Sequence, residues 1–176
     1  GYGLMGLAMD DQGVLPDALE RGAQSGARVV YLMPTLQNPT GRTMSDARRS
    51  AIADVARRHG LWIVEDDLYS PFQAGFAPAP LSAYAPERCF YIHGTSKALA
   101  PGLRTGFLVV PDEEMLDRVL RLVRAHVYAP SAIGATIACQ WVEDGSAEEI
   151  VAEMCAEFTT RGDMARARLG KAVAPV

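Results

Sequence analysis

The chain has 176 residues, 49 % of them hydrophobic, which is enough apolar material for one domain with a packed core. Its 17 basic and 21 acidic side chains leave a net charge of −4, and without a basic block this segment is not expected to contact nucleic acid. Cys89, Cys139 and Cys155 are scattered, with no Cys-x-x-Cys pair and no histidine at ligand spacing, so they read as buried thiols in a reducing compartment and exclude a metal site of that kind.

Residues 1–9 read as a glycine-interrupted strand entering from something upstream, because Leu4, Leu7 and Met9 are apolar without a helical stripe. This opening lacks the charged start and cleavage site of a signal peptide. No later apolar run reaches the roughly 18 residues of a membrane span, so a cytoplasmic protein without membrane contact is expected. Residues 10–13 form a turn, and Pro16 opens a short helix to Arg21. Residues 28–33 are a β-rich apolar run closed by Pro34 and followed by a polar loop over 35–41. Ser45 caps a helix over 46–59, with Ile52, Val55 and Ala56 as its apolar stripe and Gly60 as its stop. Residues 61–64 form the next strand and end in Glu65-Asp66-Asp67. Strand, helix and strand in succession give the βαβ pattern of a parallel sheet.

Four prolines and a glycine make residues 70–86 an expected irregular segment. A third strand over 89–92 and a fourth over 106–110 are joined by a loop too short for a crossover helix. The fourth strand therefore runs antiparallel to the third or leaves its edge through a wide turn. Asp112 caps a helix to His126 with Met115, Leu116, Val119, Leu120 and Val123 on one face; Ser131 starts another to Glu143; a long amphipathic helix covers 147–169. The basic end of the last helix, Arg161, Arg166, Arg168 and Lys171, reads as a solvated face that suits the C-terminal dipole. The fold class is thus α/β, a mostly parallel sheet flanked by helices.

Ligands of parallel α/β sheets gather at the carboxyl ends of the strands. The polar residues expected there are Asn38 after the first full strand, Asp66 and Tyr69 after the second, and Lys97 after the third, with Ser96 and Arg104 on the lysine's own loop. Singly, each has an ordinary reading as a turn residue, a cap or a surface side chain. Together they supply an amide, a carboxylate, a phenol, a hydroxyl, an amine and a guanidinium. That set suits an electron-sink cofactor held as an imine to lysine: a carboxylate for a protonated ring nitrogen, donors for a phenolic oxygen, and a hydroxyl and arginine for a phosphate.

The runs Asn38-Pro39-Thr40-Gly41, Glu65-Asp66-Asp67-Leu68-Tyr69 and Gly94-Thr95-Ser96-Lys97, the last continuing through Leu99-Ala100-Pro101-Gly102-Leu103-Arg104, strongly resemble the class I/II aminotransferases of the fold type I pyridoxal 5′-phosphate enzymes. The resemblance spans roughly residues 1–126. The Leu-Ala-Pro-Gly-Leu-Arg ending further resembles aminoadipate-type aminotransferases and the MocR branch of GntR-like regulators, in which an aminotransferase-like domain follows a winged-helix DNA-binding domain. The resemblance implies that Lys97 forms the internal aldimine and moves the proton in catalysis. It also implies that Asp66 pairs with the pyridine nitrogen, Asn38 and Tyr69 bond the phenolic oxygen, and Arg104 holds the phosphate with Ser96 assisting.

Gly94 stands where many relatives carry a Ser or Thr phosphate ligand, so phosphate binding is expected to lean on Thr95, Ser96, backbone amides or residues elsewhere; His93 beside it reads as a loop filler. The family's glycine-rich phosphate loop, ring-stacking aromatic and small domain have no counterpart in these residues. The expected organisation is therefore the central part of a large domain over 1–176, with the N-terminal segment and the C-terminal small domain absent. The resemblance implies a homodimer acting on an amino acid and a 2-oxo acid. The alternative of another class is an effector-sensing domain of a transcriptional regulator that binds the same cofactor without net transamination. A plain structural α/β fragment is the third.

Overall fold

In a computed structural model, residues 3–129 and 131–170 are described, and they fall into two compact units, 3–93 with 107–129, and 94–106 with 131–170. The first unit opens with two-residue strands, β1 (Met9–Asp10) and β2 (Gly13–Val14), paired antiparallel, followed by α1 (Pro16–Gln24). The expected strand over residues 1–9 is therefore corrected. Of its described part only Met9 pairs, and Leu4 is almost wholly exposed, because the glycine-rich run meets no neighbouring strand among the described residues. Gly1 and Tyr2 lie outside the described residues.

The main sheet has the order β3 (Val29–Leu32), β4 (Trp62–Asp66), β5 (Cys89–Gly94), β6 (Gly106–Val109). β3 pairs parallel with β4, and β4 with β5. β6 stays beside β5 rather than leaving the edge. Its connection is shorter than a parallel crossover requires, so it runs antiparallel and the sheet is mixed.

Helix α2 (Asp46–His59) links β3 to β4, and its ends are those the sequence specifies. The Ser45 hydroxyl accepts from the Arg48 N–H at 3.3 Å, and Gly60 adopts φ 63°, letting the Leu61 N–H reach the Ala56 carbonyl at 2.9 Å. One face of α2 buries Ile52, Val55 and Ala56 in a core with Leu19, Val30, Leu32, Met44, Leu61, Ile63, Leu81 and Cys89. Strand alternation then turns Val29 and Tyr31 of β3, and Trp62, Val64 and Asp66 of β4, to the opposite face.

Residues 70–86 are not irregular throughout. They contain a 3-10 turn (Ser70–Gln73), a one-turn helix α3 (Leu81–Tyr84) and the start of a second 3-10 turn (Pro86–Arg88). The cause is a distant carboxylate: Glu65 accepts from the Leu81 N–H at 2.7 Å and the Ser82 N–H at 2.9 Å, capping α3 from the end of β4. After β6, α5 (Glu113–Val127) is capped by Asp112, whose carboxylate accepts from Met115 N–H at 2.8 Å; none of its residues is buried.

In the second unit, α4 (Thr95–Ala98) is a single turn followed by a 3-10 turn (Pro101–Leu103), and α6 (Ala132–Glu143) packs on that turn and on α7 (Ser146–Leu169). Arg161 and Arg166 pair along α7 with Glu157 at 2.6 Å and Asp163 at 2.7 Å, as a solvated face does. Lys171 lies outside the described residues. Among the described residues no helix is long and apolar enough to cross a membrane.

Candidate functional site

A fully buried arginine organises the first unit's loops. Arg49 of α2 donates from Nε to the Met44 carbonyl (3.2 Å), from Nη1 to the Ala79 carbonyl (3.1 Å), and from Nη2 to the Pro34 carbonyl (3.2 Å) and the Thr35 hydroxyl (3.0 Å). Glu65, equally buried, lies 3.9 Å from it. Burial raises the Glu65 carboxyl and lowers the Arg49 guanidinium, each opposed by the charge of the other. Neither residue stands out in the sequence as a framework, because each belongs to a run of charged residues and only the fold turns it inward.

Arg49 thereby clamps both ends of the loop carrying Asn38. The Met44 N–H donates to the Pro34 carbonyl at 2.8 Å, the Gln37 N–H to the Arg42 carbonyl at 2.8 Å, and the Gln37 side chain accepts from the Thr40 N–H at 3.1 Å. Asn38 is exposed at the tip, before a cis bond to Pro39. With Tyr31, Met33, Gln37 and Arg42 it lines a cleft of about 140 Å³.

Asp66 is the last residue of β4, two positions further than the sequence reading carried that strand. Its Oδ1 accepts from the Leu68 N–H at 3.3 Å, and its Oδ2 accepts from the Tyr31 hydroxyl at 2.5 Å. Desolvation, then the bond to Asp66 and its charge, push the Tyr31 phenol up to about 12. Tyr31 is one residue that the sequence reading missed; strand alternation alone does not pair it with Asp66, and only the register, with Tyr31 opposite Val64, puts the two on one face. Tyr69 follows at the head of the 3-10 turn, half-buried, its ring centroid 6.5 Å from that of Phe72. His93 is not a loop filler but part of β5: its Nδ1 lies 3.0 Å from the Asp67 carbonyl and its ring stacks on Tyr91.

Ser96, Lys97 and Arg104 belong to the second unit. Lys97 is exposed on α4 and Ser96 is half-buried beside it. Thr95 ties the base of this loop: its N–H and its hydroxyl both donate to the Thr105 carbonyl at 3.1 Å, so its hydroxyl is already engaged. Arg104 is exposed in the left-handed region at φ 51°, directly after buried Leu103. The turn is held from α6, where Gly134 comes so close that a Cβ there would sit 1.9 Å from the Leu103 carbonyl oxygen. Gly134 is a second residue the sequence reading did not single out.

The family model for aminotransferase class I and II matches residues 8–176. The chain is 32 % identical over 173 residues to the HTH-type transcriptional regulator YdfD of Bacillus subtilis, covering 96 % of this chain and 36 % of the relative. It is 30 % identical over 166 residues to aromatic-amino-acid aminotransferase 1 of Thermococcus litoralis, covering 89 % and 39 %. Among solved structures, the kynurenine aminotransferase of Pyrococcus horikoshii, determined in complex with PMP, superposes with a TM-score of 0.82 at 26 % identity, over 94 % of this chain and 43 % of that one. The chain thus spans about two-fifths of the length of these relatives. Its motif loops, its sheet and these matches agree: the chain belongs to the class I and II aminotransferase family.

Proposed function

We propose that the full-length protein binds pyridoxal 5′-phosphate and transfers an amino group between an amino acid and a 2-oxo acid, and that the present residues are the central part of its large domain. The observation that carries the reading is Asp66: a carboxylate at the end of a central strand, held by two donors, with lone pairs left to accept a ring N–H. The other residues fit the remaining needs of that coenzyme. Asn38 faces a cleft beside Tyr31, Lys97 offers an exposed amine, and Ser96 and Arg104 offer a hydroxyl and a guanidinium for a phosphate. When bound, the coenzyme supplies an electron sink for charge developing at the substrate Cα.

The work of the chain's own side chains follows from their chemistry. Asp66 keeps a ring nitrogen protonated, Asn38 and Tyr69 donate to a phenolic oxygen, and Ser96 with Arg104 anchors the phosphate end. The Lys97 amine would hold the coenzyme and, as a free amine, would be the base for the proton on the substrate Cα. As in the family pattern, a homodimer is the proposed assembly. A second reading, an amino-acid-sensing regulator, is favoured by the match to YdfD over nearly the whole chain.

The test uses full-length protein with added coenzyme. A visible absorbance band that borohydride fixes to Lys97, and that Lys97→Ala abolishes, is expected; its absence from the wild-type protein refutes the reading. Turnover of amino acids by that protein then favours the enzyme, and a lysine-fixed band without turnover favours the sensor.

A further inference from the structure

We propose that Tyr31 is a positioning residue for Asp66, holding its carboxylate in the orientation that meets the coenzyme's ring nitrogen; this rests on the function proposed above. The parallel register sets Tyr31 opposite Val64, so Asp66 is its diagonal neighbour on the same face of the sheet, a separation that a long phenol spans. Its hydroxyl reaches Oδ2 at 2.5 Å, while Oδ1 is held only by the Leu68 N–H at 3.3 Å. An aspartate at a strand end otherwise has free rotation about its broad terminal torsion, and two donors at different angles remove it. Each carboxylate oxygen keeps a lone pair, so the bond from Tyr31 does not compete with a ring N–H. The phenol stays protonated across the neutral range, because its titration lies near 12. Packing is not its role: Tyr31 is 58 % exposed, so Tyr31→Phe removes a donor and little else.

The experiment compares wild-type and Tyr31→Phe full-length protein in their affinity for pyridoxal 5′-phosphate and for its 1-deaza analogue, in which CH replaces the ring nitrogen. Tyr31→Phe is expected to weaken the coenzyme by a few-fold to about tenfold, the worth of one hydrogen bond, and to leave the analogue unchanged. Equal weakening of both ligands would show a merely structural effect and overturn the proposal, as would no weakening of either. Failure of the wild-type protein to bind coenzyme at all would instead overturn the underlying function, and this proposal with it. A second measurement needs no Tyr31 variant: in coenzyme-free protein labelled at tyrosine, the Tyr31 phenol should titrate lower in Asp66→Asn than in wild type. An unchanged titration would mean that the two side chains are not bonded in solution.

Discussion

Gly134→Ala tests how the lysine loop is held, because two effects of opposite sign compete there. Gly134 is the third residue of α6, in its first turn, and alanine is better than glycine in a helix by up to about 1 kcal/mol. Against this, the new Cβ would lie 1.9 Å from the Leu103 carbonyl oxygen, 2.9 Å from its carbon and 3.0 Å from the Thr105 hydroxyl. The first of these is a backbone atom that cannot swing aside, so α6 and the turn must separate by at least about 1 Å. Overpacking of this kind costs about 1–3 kcal/mol and occasionally more, and a backbone oxygen at 1.9 Å puts this site at the upper end, so destabilisation by about 2 kcal/mol is the expected net result. The control is Gly162→Ala in α7, where the nearest atoms are the flexible Arg166 guanidinium at 3.6 Å and the helix gain should stand alone. Thermal unfolding of the two variants in full-length protein should move in opposite directions. The displaced turn also carries Arg104, the proposed phosphate anchor, so on that proposal Gly134→Ala should weaken phosphate-bearing ligands, whereas Gly162→Ala should not. If Gly134→Ala stabilises the protein as much as Gly162→Ala, the close approach of α6 to the Leu103 carbonyl is wrong.

Arg49→Met should cost about 3–5 kcal/mol, since it takes the counter-charge from buried Glu65 and a donor from three backbone carbonyls in the core; denaturant unfolding with Arg58→Met as the exposed comparison measures it, and a loss below about 1 kcal/mol would refute the clamp. Ser45→Ala should destabilise α2 by about 1 kcal/mol, read as faster amide exchange at Arg48, and Ser45→Asp should restore it. The bond from Arg48 to Asp10 at 2.7 Å holds the Asp10 carboxyl below its ordinary 3.8. The unfolded chain then binds the extra proton first, so this contribution is present above pH 3.8 and is lost as pH falls further; an acid-unfolding midpoint unchanged by Asp10→Asn would contradict it.

Much of the chain was legible in local chemistry. Ser45 and Gly60 bracket α2 because a cap acts within one turn, and the strands over 28–33, 61–64 and 89–92 announce themselves by short β-rich runs between turn residues. The three motif loops were readable for the same reason, since each is a continuous run of a few residues. Where the reading failed, the deciding partner was far along the chain. The helical turn at Leu81 exists because Glu65 caps it, and the glycine-rich opening does not form a strand because no described neighbour pairs with it. Tyr31 meeting Asp66, Arg49 meeting Pro34 and Ala79, and Gly134 meeting Leu103 each join residues from 15 to 35 positions apart. The sequence by itself determined the locally capped helices, the main strands, the family and the residue types available for chemistry. Only the tertiary structure decided which carboxylate is held by which donor, because register and helix packing, not residue identity, place those side chains within hydrogen-bonding distance.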